Sequence, residues 1–114
     1  MRKIWFDLGE ASFLIRVVDY EWVLFLNEKR GRGELTDEEV RRMIFYSVLE
    51  EWRGVGGLRD IAKEKQKKTL YKDPVIKTFV LQKSTELLEG ETEELERCCT
   101  LIEKYLFESG KLQS

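Results

Sequence analysis

The sequence predicts an α+β fold: an N-terminal antiparallel β-meander of about three strands packed against about four α-helices. Three observations carry that prediction. Residues 2–8 alternate, with Ile4, Phe6 and Leu8 at every second position, the period of a half-buried strand. β-Branched and aromatic residues crowd residues 12–26, and such side chains suit a pleated sheet. From Thr36 onward apolar residues recur every three or four positions between helix start and stop signals. The 114 residues make one domain of ordinary size, 1–114, with the meander at 1–27 and the helical part at 36–108. Sheet and long helix each need a partner for an apolar face, so they share one core.

In the first strand Ile4, Phe6 and Leu8 fall on one face and Lys3, Trp5 and Asp7 on the other. Gly9-Glu10 turns the chain into Ser12–Val18, where Phe13, Ile15 and Val17 oppose Leu14, Arg16 and Val18. Asp19-Tyr20 then leads to Trp22–Leu26 as a third strand, without the glycine of a tight hairpin. A helix competes over residues 12–29, because Leu14, Val18, Trp22 and Leu26 recur every four residues; the β-branched and aromatic bias favours strands. Lys29-Arg30-Gly31-Arg32-Gly33 reads as a connector. Its cations and glycines could also hold a phosphate, but no Gly-Lys-Ser/Thr follows as in a P-loop.

Thr36-Asp37-Glu38-Glu39 is a helix start with a capping box, and the helix runs to about Arg53. Val40, Ile44, Val48 and Trp52 form its buried row, while Met43 and Tyr46 lie round the other side as candidate protein-contact residues. Gly54–Gly57 ends it. A shorter helix spans Leu58 to about Lys68, and Asp73-Pro74 starts another that Gly90 stops. A last helix follows Thr92 to about Glu108, with Leu95, Cys99, Ile102 and Leu106 at heptad spacing; Leu95, Ile102 and Leu106 are candidates for a dimer seam.

An acid at Asp7 breaks the N-terminus too early for a signal-peptide core. The apolar run Phe13–Leu26 is interrupted by Arg16, Asp19 and Glu21 and is shorter than the ~20 residues of a membrane span. A soluble, cytoplasmic protein is expected. The charged fraction is 37% against a usual ~25%, with one Asn and three Gln, the bias of hyperthermophile proteins.

There is no histidine, which removes the commonest general base and metal ligand. Cys98 and Cys99 point to different sides of a helix and lack further ligands, so they read as structural thiols. Asp60, Glu64, Lys65 and Gln66 resemble the acid–lysine arrangement of metal-dependent nucleases, but those sites are anchored on strands and this segment reads as a helix. The sequence therefore leans away from an enzyme and offers no catalytic residue, metal site, cofactor or small-molecule substrate.

What remains is charge. Residues 59–83 carry eight positive and three negative side chains, a local +5 in a chain of net charge −2. Arg59, Lys63, Lys65, Lys67, Lys68, Tyr71, Lys72 and Lys77 are the candidate nucleic-acid contacts, since clustered lysines with an aromatic make a phosphate-binding surface. Leu58–Glu64 resembles the first helix of a helix-turn-helix, which would turn Lys77 and its neighbours toward nucleic acid; it lacks the glycine turn, and Gln66–Asp73 is longer than the usual connector. Two functions follow. One is a small non-catalytic nucleic-acid-associated protein of regulatory or accessory type. The other is a protein-binding adaptor or inhibitor, as a homodimer with the acidic last helix as its interaction face, or through Trp5, Met43 and Tyr46. Against both stands a plainer reading, in which the +5 stretch docks on the protein's own acidic C-terminal helix and the charged helix only keeps the protein soluble.

Overall fold

A computed structural model describes residues 3–89. In chain order the elements are β1 (Lys3–Leu8), β2 (Ala11–Arg16), β3 (Val18–Asp19), α1 (Tyr20–Gly31), α2 (Asp37–Val48), β4 (Leu49–Arg53), α3 (Lys63–Lys72), α4 (Pro74–Glu86) and β5 (Leu88–Glu89). The fold class is the predicted one, with three antiparallel strands in the order β1-β2-β4 and, among the described residues, four helices. The β1–β2 hairpin pairs Lys3 with Arg16 through to Leu8 with Ala11.

The third strand comes from a different place than expected. Trp22–Leu26 lies within α1, so the four-residue spacing won over the β-branched and aromatic bias. Asp19 starts that helix by accepting a hydrogen bond from the Glu21 N–H at 2.8 Å, and Lys29 and Arg30 stand in its last turn. Val23 and Leu26 are buried. The predicted capping box of α2 is present, with Glu39 N–H donating to Thr36 Oγ1 and Thr36 N–H to the Glu39 carboxylate. That helix stops at Val48 instead of Arg53. Leu49–Arg53 then pairs with β2, because Leu49 and Trp52 can cover the inner sheet face that Ile15 and Phe13 begin. The register shifts between Leu14 and Ile15, leaving Glu50 as the extra residue of a bulge. Glu50 ion-pairs with Lys3 at 3.8 Å and Arg16 at 3.9 Å.

Phe13 and Ile15 of β2, Val40, Ile44 and Phe45 of α2, Leu70 of α3, and Val80 and Leu81 of α4 build the centre of the core. Phe13 packs on Phe79 with ring centroids 6.0 Å apart. On the opposite sheet face Trp5 is half-buried beneath the Arg53 guanidinium, 4.2 Å from the ring centroid. β3 and β5 form a separate two-stranded parallel ladder.

Leu58–Ala62 is irregular, with Asp60 at φ 69°, and helix begins only at Lys63. The segment likened to the first helix of a helix-turn-helix is therefore no helix. Most of the supposed connector Gln66–Asp73 is α3 itself. Asp73 alone separates α3 from α4, and its carboxylate accepts from the N–H groups of Val75 (2.9 Å) and Ile76 (3.3 Å). α4 ends at Glu86, short of Gly90. The predicted helix after Thr92, with Leu95, Cys98, Cys99, Ile102 and Leu106, lies outside the described residues. No described helix is long and apolar enough to cross a membrane.

Candidate nucleic-acid interface

The sequence of α3, KEKQKKTLYK, sorts by helical period into two sides. Gln66, Lys67, Leu70 and Tyr71 face the protein, with Leu70 and Tyr71 buried; Lys65, Lys68, Thr69 and Lys72 are exposed.

Lys67 is accordingly a structural residue. Its Nζ donates to the Tyr46 carbonyl oxygen at 2.8 Å, in the last turn of α2. That helix has three acids in its first turn and no base in its last. Its negative C-terminal end is met instead from other elements, by Lys67 and by Arg16, whose Nε donates to the Ser47 carbonyl at 2.8 Å and whose Nη2 donates to Ser47 Oγ at 2.6 Å. Burial, with help from the Lys63 and Arg16 charges, holds the Lys67 ammonium below its ordinary pKa against the pull of Glu50.

Tyr71 and Lys77 belong to a second internal network. The Tyr71 hydroxyl donates to Glu38 Oε1 at 2.7 Å, and Arg41 Nη2 donates to Glu38 Oε2 at 2.9 Å. The Tyr71 ring meets Phe45 and Tyr46 edge-on at 5.1 and 5.8 Å, and Lys77 Nζ sits 5.2 Å from its centroid. Burial raises the Tyr71 phenol well above its ordinary pKa, and the Glu38 carboxylate raises it further. Burial pushes Glu38 up, but Tyr71, Arg41 and Lys77 together outweigh it and hold the carboxyl below the usual range.

Four outward cations lie on adjoining faces of α2 and α3, apart from Arg53, Arg59 and Lys63, which are exposed elsewhere. Lys65, Lys68 and Lys72 of α3 and Arg42 of α2 are exposed. Among the described residues, none of the four has a carboxylate at ion-pair distance, whereas Lys3, Arg16, Lys29, Arg30, Arg32, Arg41 and Lys83 all do. A cleft of about 530 Å³ opens between the two helices, lined by Glu38, Arg42, Tyr46, Lys68, Tyr71 and Lys72. Arg42 was not among the candidates read from the sequence. Its place beside Lys68 and Lys72 is set by how α2 packs on α3, and no spacing along the chain encodes that.

The remaining candidates are dispersed. Lys63 lies on another side of α3, 5.6 Å from the Trp52 ring centroid, beside a smaller cleft of about 280 Å³ that it shares with Arg53. Arg59 is exposed in the loop. Gln66 is structural: its Oε1 accepts from Trp52 Nε1 (2.7 Å) and its Nε2 donates to the carbonyls of Leu58 (3.1 Å) and Ile61 (2.6 Å). That use gives Gln66 a packing role in place of the nuclease-like one. No group of three or more Cys, Asp or Glu among the described residues is placed to hold a metal ion.

Lys29, Arg30 and Arg32 are paired with Glu34 or Asp37, so the basic glycine loop is neutralised locally. Of the protein-contact candidates, Met43 is 39% exposed and Tyr46 half-buried. Val75, 64% exposed and missed in the sequence, lines an apolar depression with Leu8, Pro74 and Phe79. Comparison with known proteins finds no family model, no curated protein and no solved structure that matches the chain.

Proposed function

We propose that this chain is a small, non-catalytic nucleic-acid-associated protein of regulatory or accessory type, gripping phosphates with the outer face of α3 and the adjacent Arg42. One observation carries the reading: Arg42, Lys65, Lys68 and Lys72 stand exposed with no carboxylate at ion-pair distance among the described residues, and Arg42, Lys68 and Lys72 line one cleft between α2 and α3. Contacts of this kind position a backbone without reading bases, so binding is salt-sensitive and weakly sequence-specific. A cytoplasmic setting goes with it, since Cys98 and Cys99 suggest no disulfide framework. The charge-rich, amide-poor composition supports a thermophilic source, which a melting midpoint below ~60 °C would contradict.

The test is a titration of duplex and single-stranded oligonucleotides by fluorescence anisotropy across a salt series. The wild-type protein binds at low salt, and the double change Lys65→Ala/Lys68→Ala flattens the log–log salt slope by about two contacts, each ~0.9 for duplex or ~0.7 for single strands. Absence of binding at low salt, or an unaltered slope, rejects the reading.

Exposure of Met43 and Val75 favours a second reading, a protein-binding adaptor or inhibitor that includes a homodimeric form. Light scattering over a concentration series decides the homodimer: a strict monomer removes it.

A further inference from the structure

Resting on the nucleic-acid reading, we infer that the cleft between α2 and α3 receives a terminal phosphate monoester, so that the protein prefers strand ends carrying a phosphate over unphosphorylated ends. The cleft holds about 530 Å³. That lies within the ~300–1,000 Å³ of small-molecule clefts.

Three cations line it. Arg42 comes from α2, and Lys68 and Lys72 from successive turns of α3. Among the described residues Glu38 is the one carboxylate lining it, and it is already engaged: Arg41 donates to one oxygen at 2.9 Å and Tyr71 to the other at 2.7 Å. Arg41 offsets its charge, which leaves the three lining cations for a ligand. A phosphate monoester brings roughly −1.5 to −2 charges at pH 7 and three strong acceptor oxygens. A diester within a strand brings a single charge. The guanidinium fork of Arg42 suits two oxygens of one phosphate, and the lysines act as point charges around it. The floor is firm, since Tyr71 is only 8% exposed and is packed against Phe45 and Tyr46. Lys65 lines no part of the cleft and suits the continuing backbone.

The deciding experiment compares single-stranded oligonucleotides of one sequence with a 5′-phosphate, a 3′-phosphate or hydroxyls at both ends, titrated against the full chain by anisotropy with an internal label. At least one phosphorylated end binds about tenfold tighter than the hydroxyl form. Arg42→Ala and Lys68→Ala each abolish that preference, while Lys65→Ala weakens all three ligands alike and keeps it; an unchanged melting midpoint confirms that each variant is folded. Equal affinity for all three ligands overturns the inference and leaves the nucleic-acid reading standing. A preference that survives Arg42→Ala and Lys68→Ala overturns the assignment to this cleft. Failure of every ligand to bind at low salt overturns both.

Discussion

Lys67 of α3 closes the C-terminus of α2, its Nζ donating to the Tyr46 carbonyl oxygen at 2.8 Å. A charged hydrogen bond at a partly buried helix end contributes about 1–2 kcal/mol. Lys67→Ala is therefore expected to lower the unfolding free energy by that much, and the urea midpoint with it, while leaving the salt slope of oligonucleotide binding unchanged. Lys68→Ala, one residue on and exposed, is expected to do the reverse. Unfolding curves and salt titrations on the same two variants check the exchange of roles.

Gly54 holds φ at +71°, and a Cβ there would run into the Glu10 carbonyl oxygen and stand 3.2 Å from Ala11 Cα. The β1–β2 turn is in contact with the end of β4 at this point. Gly54→Ala is expected to cost ~2 kcal/mol or more, because backbone has to yield on one side or the other. Gly56, without positive φ and with nothing within 4 Å of its would-be Cβ, is the control: Gly56→Ala is expected to be neutral or to stabilise by up to ~1 kcal/mol. Chemical denaturation of the two variants separates the cases.

Gln66 serves Trp52 with its oxygen and the carbonyls of Leu58 and Ile61 with its nitrogen. Gln66→Glu replaces that donor by a second acceptor facing two carbonyls, so it is expected to destabilise more than Gln66→Ala, by ~1 kcal/mol or more beyond it. Hydrogen exchange at residues 58–62 and tryptophan emission report the loosened loop. Equal behaviour of the two variants would remove Gln66 as its organiser.

The Glu38–Tyr71 bond gives stability a limb at each end of the pH scale. Glu38 titrates lower when folded, so its contribution is present above the unfolded carboxyl pKa of ~4.3 and is lost as pH falls through the folded value. With its side chain 48% exposed, solvent screening limits that to ~0.5 kcal/mol or less. Tyr71 titrates higher when folded, so its contribution is present below the unfolded phenol pKa of ~10 and is lost as pH rises toward the folded value. Denaturation midpoints from pH 3 to 11 are expected to show a shallower acid limb in Glu38→Gln and a shallower alkaline limb in Tyr71→Phe.

Local signals were legible wherever the backbone satisfies itself nearby. The Thr36–Glu39 capping box, the Asp73-Pro74 start and the alternation of Lys3–Leu8 all appear as read. Illegible were the choices made by distant partners. Leu49–Arg53 continues the four-residue row of α2 through Trp52 and contains two helix-forming glutamates, yet pairing with β2 takes it. Trp22–Leu26 has strand-like residues, yet the Asp19 cap and the cations at Lys29 and Arg30 hold it as a helix. For the site, a count of charges could not tell Lys67 from Lys68. The sign was in the spacing: Lys67 lies three residues before Leu70 and four before Tyr71, both buried, whereas Lys68 has only Tyr71 on one side and the exposed Lys72 on the other.

Val18 and Leu88 are partners in a ladder only two residues long, yet they stand 70 positions apart along the chain. In the same ladder Asp19 also caps α1. At a ribosomal pace of about 5–20 residues per second, that seam stays open for roughly 4–14 s after Val18 is made. Through that interval α1 must stand on its own cap and its own terminal charges, with no strand beside its start. Ribosome-bound chains halted before Leu88 should therefore be cut by protease near residues 18–21, and chains extended past Glu89 should resist.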